Sequence, residues 1–437
     1  MHTNLKTYLL SLLLSASAIT SFAQANISPA KKQDKTIAVT GATIHIGNGT
    51  VIENGTILFG NGKIISVRAD GQVPQDDVMR IDAAGKHIYP GFIAATTNLG
   101  LTEIEAVKAT LDFSEIGDYN AHIRSIVAYN TDSKVPATLR SNGVLLAQPT
   151  PQGGIISGSS AVVQLDAWNW EDAAVKINDA MHMSWPATPR FRESGRGQTS
   201  AEVTAERTQS TINQLTSFFA EAKAYSEMGK AEVINTRFEA MKPVFTGKEK
   251  LFIKANSAKE IVAAVNFAKK FGITPVITDA DEAYLVIDFL KTNNITVVVK
   301  QPHALPNNND DDVNMPYKNA AVLANAGLNV VLSIDGYWQQ RNLPFMAGTV
   351  AAWGLDKEKA LSAITLNAAR AMGVDQLTGS LEAGKDATFF ISAGDALDMK
   401  TNKVEQAFIQ GRAINLDNLH KQLDKKFSDK YASEKIN

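Results

Sequence analysis

The sequence has no cysteine in its 437 residues. That excludes disulfides, thiolate metal sites, iron–sulfur clusters and a cysteine nucleophile. Histidine is scarce, at 7 residues, so a metal or acid–base site built on imidazole has few donors to draw on. An excess of one charge is missing too: 43 Lys+Arg against 45 Asp+Glu leave a net charge of -2. No general field therefore attracts nucleic acid or an anionic membrane. Beyond the N-terminal segment no apolar run approaches the roughly 20 residues needed to span a bilayer.

What is present describes a folded chain. Hydrophobic residues are 44% and charged residues 20%, ordinary values for a globular protein. The length suits two or three domains, or one large α/β barrel with an appendage. Residues 1–25 read as a secretory signal. Lys6 supplies a positive start, Tyr8–Leu14 a short apolar run, and Ser21-Phe22-Ala23 a small-x-small cleavage pattern. A secreted, periplasmic mature protein is expected.

From residue 36 to 90 the texture is β-like. Short branched runs are punctuated by Asn48-Gly49, Asn54-Gly55 and Asn61-Gly62, and Asn-Gly is the strongest short hairpin signal. From 91 to 373 continuous apolar runs alternate with helical patterns. Examples are Gly143–Ala147, Ala161–Leu165, Leu251–Ile253, Pro275–Ile277, Ile295–Val299 and Asn329–Ser333. Strands buried on both faces look like this. Ile261, Ala264, Val265 and Ala268 share one helical face, and Leu285, Val286, Phe289 and Leu290 another. The alternation predicts parallel β/α units, and the span fits a (β/α)8 barrel of roughly 250 residues. Asp356 and Asn367 are expected as helix N-caps and Gly373 as a stop. Residues 374–415 return to strands and 416–437 form a charged tail. The fold class is thus α/β, a barrel plus a small β-sandwich built from both ends of the chain. Pro186–Ala205 is expected as a polar insertion, and Asn307–Asp312 as a solvated loop.

Several segments together resemble the amidohydrolase superfamily, in particular its imidazolonepropionase-like periplasmic branch. They are Gly60–Val67 (GNGKIISV), Tyr89-Pro90-Gly91-Phe92-Ile93, Thr365–Arg370 (TLNAAR) and Gly379–Ala387 (GSLEAGKDA). The resemblance covers roughly residues 36–415. It implies a hydrolase acting on non-peptide C–N bonds with zinc or another divalent metal at the barrel mouth. The family's ligands are a His-x-His after strand one, a Lys or Glu at strand four, His at strands five and six, and Asp at strand eight. Neutral imidazoles and carboxylates hold the ion, which lowers the pKa of bound water toward about 7.

Carried onto this chain, the pattern breaks. Thr96 and Asn98 stand where the His-x-His should be, Lys254 at strand five and Asp279 at strand six. No strand-four ligand is identified. Asp335, in Ser333-Ile334-Asp335, keeps the family residue at strand eight. Other histidines do not fill the gap: His45 and His87 lie in the β module, and His122, His182 and His303 are scattered. His303 follows a barrel strand, but a lone histidine with no second ligand nearby reads as structural or surface rather than as a ligand. The physical expectation is a side-chain cation in place of the metal, with the Lys254 ammonium between Asp279 and Asp335, satisfying two carboxylates that would otherwise repel. No cofactor is expected. Three functions follow. One is a degenerate amidohydrolase acting as partner or binding subunit, beside an intact paralogue or as a homo-oligomer. The second is an active hydrolase with a non-standard site using Asp279 and Asp335. The third is a periplasmic protein binding a small molecule or peptide, with Trp168, Trp170 and Trp185 near the mouth. No nucleic acid and no membrane span enter any of them.

Overall fold

The computed structural model describes residues 28–69, 77–187, 201–229, 232–306 and 311–434. The expected signal segment lies outside the described residues. So do residues 188–200 of the polar insertion and 307–310 of the Asn/Asp loop.

Both ends of the chain build one eight-stranded sheet. The N-terminal end supplies β1 (Thr36–His45), β2 (Val51–Gly60), β3 (Lys63–Arg68), β4 (Val78–Asp82) and β5 (His87–Pro90). The strands β16 (Phe389–Ser392), β17 (Val404–Ile409) and β18 (Arg412–Ala413) come from the C-terminal end. Asn61 and Gly62, both at positive φ (51° and 79°), close the two-residue turn from β2 to β3. Asn54-Gly55 is not a turn. It lies inside β2 where the pairing with β1 shifts register, and Asn54 takes φ 49°. The signal marks a bulge there, because the same left-handed tolerance serves both features. β1 is the corner of the sheet: Thr36–Thr40 pair with β4 and Thr43–Ile44 with β5, all parallel. The bent sheet wraps a core in which Phe59, Phe389 and Phe408 meet at ring distances of 5.0–5.1 Å.

The middle of the chain forms strands β6 (Phe92–Thr97), β7 (Val144–Pro149), β8 (Ile156–Ser159), β9 (Val162–Gln164), β10 (Ala174–Lys176), β11 (Ala180–Ser184), β12 (Lys250–Ala255), β13 (Val276–Asp279), β14 (Thr296–Val299) and β15 (Val330–Leu332). β11 through β15 are parallel neighbours, as are β6 and β7. A parallel bridge from Ala95 to Ser333 brings the end of β15 back beside β6. The expected all-parallel alternation is interrupted at one point: β9 runs antiparallel to β7, and β8 antiparallel to β11. The pairings thus form two sheets, β10-β9-β7-β6 and β15-β14-β13-β12-β11-β8, which meet at the Ala95–Ser333 bridge.

Helices cover the outside. Ala258–Lys270 starts at a Ser257–Glu260 capping box and buries the predicted face of Ile261, Ala264, Val265 and Ala268. The second predicted face is broken, because a 3-10 turn (Ala283–Val286) precedes the helix Ile287–Thr292. Leu290 is buried, but Leu285 faces solvent. Asp356 caps its helix and Gly373 ends the next in the left-handed region. Asn367 is not a cap: it sits one residue inside the helix, and its amide reaches Val330 O at 3.0 Å.

β16 joins the two layers. Phe389 enters the sheet core and the next residue, Phe390, enters the larger core, as strand alternation requires. A second tie is ionic. The buried Asp166 carboxylate pairs with Arg140 and with Arg412 Nη1 (3.0 Å), and accepts the Ala30 N–H at 2.9 Å.

Candidate functional site

A cavity of about 280 Å³ opens where β11–β15 end. Register explains its lining. Ser184, Lys254, Thr278 and Val298 are partners across β11–β14, so they share one face. His182 and Phe252 are partners two residues earlier on that face. All six, Lys254 among them, line the cavity. Ser184 ends β11, the neighbour of the Lys254 strand, where the sequence pattern had identified no ligand.

Asp279 belongs to the opposite parity, one residue after Thr278. It reaches the cavity because the strand ends in left-handed backbone, with φ 70° at Asp279 and 50° at Ala280. Thr96 has φ 45°, an outlier for a β-branched residue. Its conformation is held on both sides: its N–H donates to Gln148 Oε1 at 3.1 Å, and its hydroxyl lies 2.7 Å from Ser333 Oγ. Backbone strain of this kind costs about 1–3 kcal/mol per residue and collects at functional sites.

The charges differ from the sequence expectation. Lys254 Nζ lies 2.9 Å from Asp279 Oδ2, but a second ammonium, Lys300 Nζ, lies 3.2 Å from the same oxygen. Burial works against the Lys300 ammonium, yet Asp279, Asp281 and Asp335 outweigh it and hold its pKa above the ordinary value. The cation lodged among the acids is therefore Lys300, and Lys254 is the more exposed partner at 56% of its side chain. Asp335 also lines the cavity, at its exposed rim.

Other expectations are corrected. Asn98 does not line the cavity: its amide turns to Thr102 Oγ1 at 3.1 Å. His303, in line with the structural reading of a lone histidine, is held by Thr349 Oγ1 at 3.0 Å with its ring tilted against Tyr317, away from the cavity. None of Trp168, Trp170 and Trp185 lines it, and Trp185 is buried against Phe267. Lys300 and His182 were missed as site residues. Lys300 had a signal, since Thr296, Val298 and Lys300 alternate on the inward face.

Beneath the cavity is a polar chain. His182 Nε2 lies 2.8 Å from Ser160 Oγ, which donates to Asp179 Oδ1 at 2.7 Å. Gln148 Nε2 donates to Asp179 Oδ2 at 2.7 Å, and its oxygen takes the Thr96 N–H. Burial pushes Asp179 up to about 6, against the lowering effect of its Ser160 and Gln148 hydrogen bonds. Burial alone lowers His182 to about 3, so the ring is neutral. Nearby, Glu249 is raised to about 8 by burial. Its Oε1 accepts from Ser159 at 2.6 Å, while Oε2 has no hydrogen-bond partner among the described residues. Among the described residues no group of three or more His, Cys, Asp and Glu is placed to hold a metal ion.

Comparison with known proteins gives a consistent answer. The profile of the amidohydrolase family matches residues 264–414. An imidazolonepropionase of Flavobacterium psychrophilum is 31% identical over 112 residues, a stretch that spans 27% of that relative and 23% of this chain. Among solved structures, an amidohydrolase from Thermotoga maritima MSB8 superposes with a TM-score of 0.75 at 23% identity, over 87% of this chain and 99% of that one. Molinate hydrolase gives a TM-score of 0.54 at 16% identity, over 88% and 95%. The structural likenesses speak for the fold, and the profile and the relative for descent. The sequence similarity to the amidohydrolase family is thus carried by residues 264–414 and by the short stretch shared with the imidazolonepropionase, and the fold by the solved structures.

Proposed function

We propose that this chain is an amidohydrolase-fold protein that no longer hydrolyses, and that its barrel mouth binds a small molecule through ion pairs in place of a metal ion. In this reading the two sheets that meet at the Ala95–Ser333 bridge are the family's (β/α)8 barrel with its third strand reversed, and the bent sheet is the family's composite β domain. One observation carries the proposal: two ammoniums converge on the Asp279 carboxylate. The donor set does not fit a divalent cation. Lys254 and Lys300 would repel it, the Thr96 hydroxyl is engaged by Ser333, and Asn98 is turned away. Asp335 therefore has no metal-activated water to deprotonate. An exported chain of this kind serves as a ligand-binding protein, or as the partner subunit of an intact paralogue.

Metal analysis tests the reading. Purified protein incubated with Zn²⁺ or Mn²⁺ and then desalted should hold far less than one ion per chain. Stoichiometric metal that is lost in Asp335→Asn would overturn it. The second reading, a hydrolase using Asp279 and Asp335, draws support from Asp335, which lines the cavity and forms no ion pair among the described residues. Turnover of an amide substrate by metal-free protein, abolished by Asp335→Asn, would favour it. Export is checked by fractionating cells and sequencing the mature N-terminus, expected within a few residues of Ala23.

A further inference from the structure

The hydrogen-bond chain below the cavity determines which nitrogen of His182 carries the proton. Ser160 has one hydroxyl hydrogen. An ionised Asp179 takes it, because a charge-assisted bond is the stronger one. Ser160 Oγ can then only accept from His182, so Nε2 carries the ring proton. The ring is neutral, which leaves Nδ1 as a bare acceptor. Nδ1 has no hydrogen-bond partner among the described residues, and the ring lines the cavity.

Above it, the row Ser184–Lys254–Thr278 sets an ammonium between two hydroxyls. Neither of those hydroxyls has a hydrogen-bond partner among the described residues, and both residues line the cavity. Lys254 and Lys300 share one oxygen of a single carboxylate. Lys254, the more exposed, is free to swing to a second carboxylate without stranding Asp279. The cavity of about 280 Å³ has room for about nine waters at ~30 Å³ each, the scale of a five- or six-carbon molecule.

We propose that the cavity takes a small polyhydroxylated carboxylate, of the sugar-acid class. Its carboxylate rests on Lys254 and Lys300, its hydroxyls meet Ser184 and Thr278, and one hydroxyl donates to His182 Nδ1. This rests on the metal-free reading of the site, and names the ligand chemistry that reading leaves open. Asp335 stands at the rim and excludes a second anionic group there.

The test uses the full mature chain at pH 8, where Asp179 is ionised. Isothermal titration is run with D-gluconate, with the neutral polyol D-glucitol and with hexanoate, which has the charge but no hydroxyls. Gluconate should bind at least tenfold more tightly than either control, and Lys300→Met should lose that preference while remaining folded by circular dichroism. Equal binding of glucitol or hexanoate, or no binding of gluconate, would overturn the ligand class. A separate readout needs no ligand: ¹⁵N spectra of histidine-labelled protein should show His182 protonated on Nε2, with the signal assigned by its loss in His182→Gln. Protonation on Nδ1 would refute the tautomer and with it the acceptor role. Stoichiometric metal in the purified protein would instead overturn the metal-free reading, leaving the tautomer result standing.

Discussion

Glu249→Gln offers the sharpest test of the buried network. The Glu249 side chain is 2% exposed. One oxygen accepts from Ser159 and the other has no partner among the described residues, so an ionised carboxylate would leave a charged oxygen stranded. Burial therefore raises its pKa from 4.5 to about 8. The unfolded chain loses this proton near the ordinary value, while the folded chain keeps it until about 8. Between those two pH values the native state binds more protons than the unfolded state, so stability falls as pH rises. A tenfold change in an ionisation constant is worth about 1.4 kcal/mol, so the penalty at pH 8 is on the order of a few kcal/mol. Glutamine keeps the volume and the Ser159 acceptor but cannot ionise. Urea unfolding of both proteins from pH 4.5 to 8.5 measures the difference. The two should be within about 1 kcal/mol at the acid end, where only an ordinary hydrogen bond changes. The variant should then gain progressively, reaching about 2–4 kcal/mol in its favour at pH 8. A difference that does not change with pH would refute the assignment of a protonated, buried Glu249.

Three further outcomes follow from other contacts. Asp166→Asn removes the charge shared by Arg140 and Arg412 and should destabilise by about 3–5 kcal/mol; a loss below 1 kcal/mol in urea unfolding would show that the tie is not structural. Lys254→Met should change stability by less than about 1 kcal/mol, because that lysine is largely exposed and Lys300 still neutralises Asp279. A large drop in melting temperature would show instead that Lys254, not Lys300, is the cation that Asp279 depends on. Gly143→Ala places a Cβ 2.5 Å from the Phe390 ring at a residue with φ 87°. It should cost about 1–3 kcal/mol through overpacking and strain where Phe390 of β16 packs into the larger core, read as a lowered denaturation midpoint.

Much of the architecture was legible because it depends on short-range rules. The apolar runs of β12, β13 and β14, the Asp356 cap and Gly373 stop, and the Asn61-Gly62 turn each follow from local pattern. Failures occurred where one local signal serves two geometries. Asn54-Gly55 became a bulge, and the segment around Leu285 broke into a 3-10 turn. The reversed direction of β8 and β9 had no local signature either, since an apolar run reads the same in both directions.

For the site, the sequence by itself supplied an expectation through its resemblance: Thr96, Asn98 and Lys254 in place of imidazoles, Asp279 at strand six, and Asp335 as the retained residue. The alternation in β14 also carried Lys300 to the inward face. Tertiary structure decided the rest. Asp279 enters the cavity only because the backbone turns left-handed at the strand end, which no parity count foretells. Asn98 leaves it for an equally local reason, its bond to Thr102. The chain from Thr96 through Gln148, Asp179 and Ser160 to His182 is assembled from β6, β7, the β9 lead-in and β11. Apart from Asp179 and His182 its members are distant in sequence, and their protonation depends on burial, which exists only once those strands have packed together.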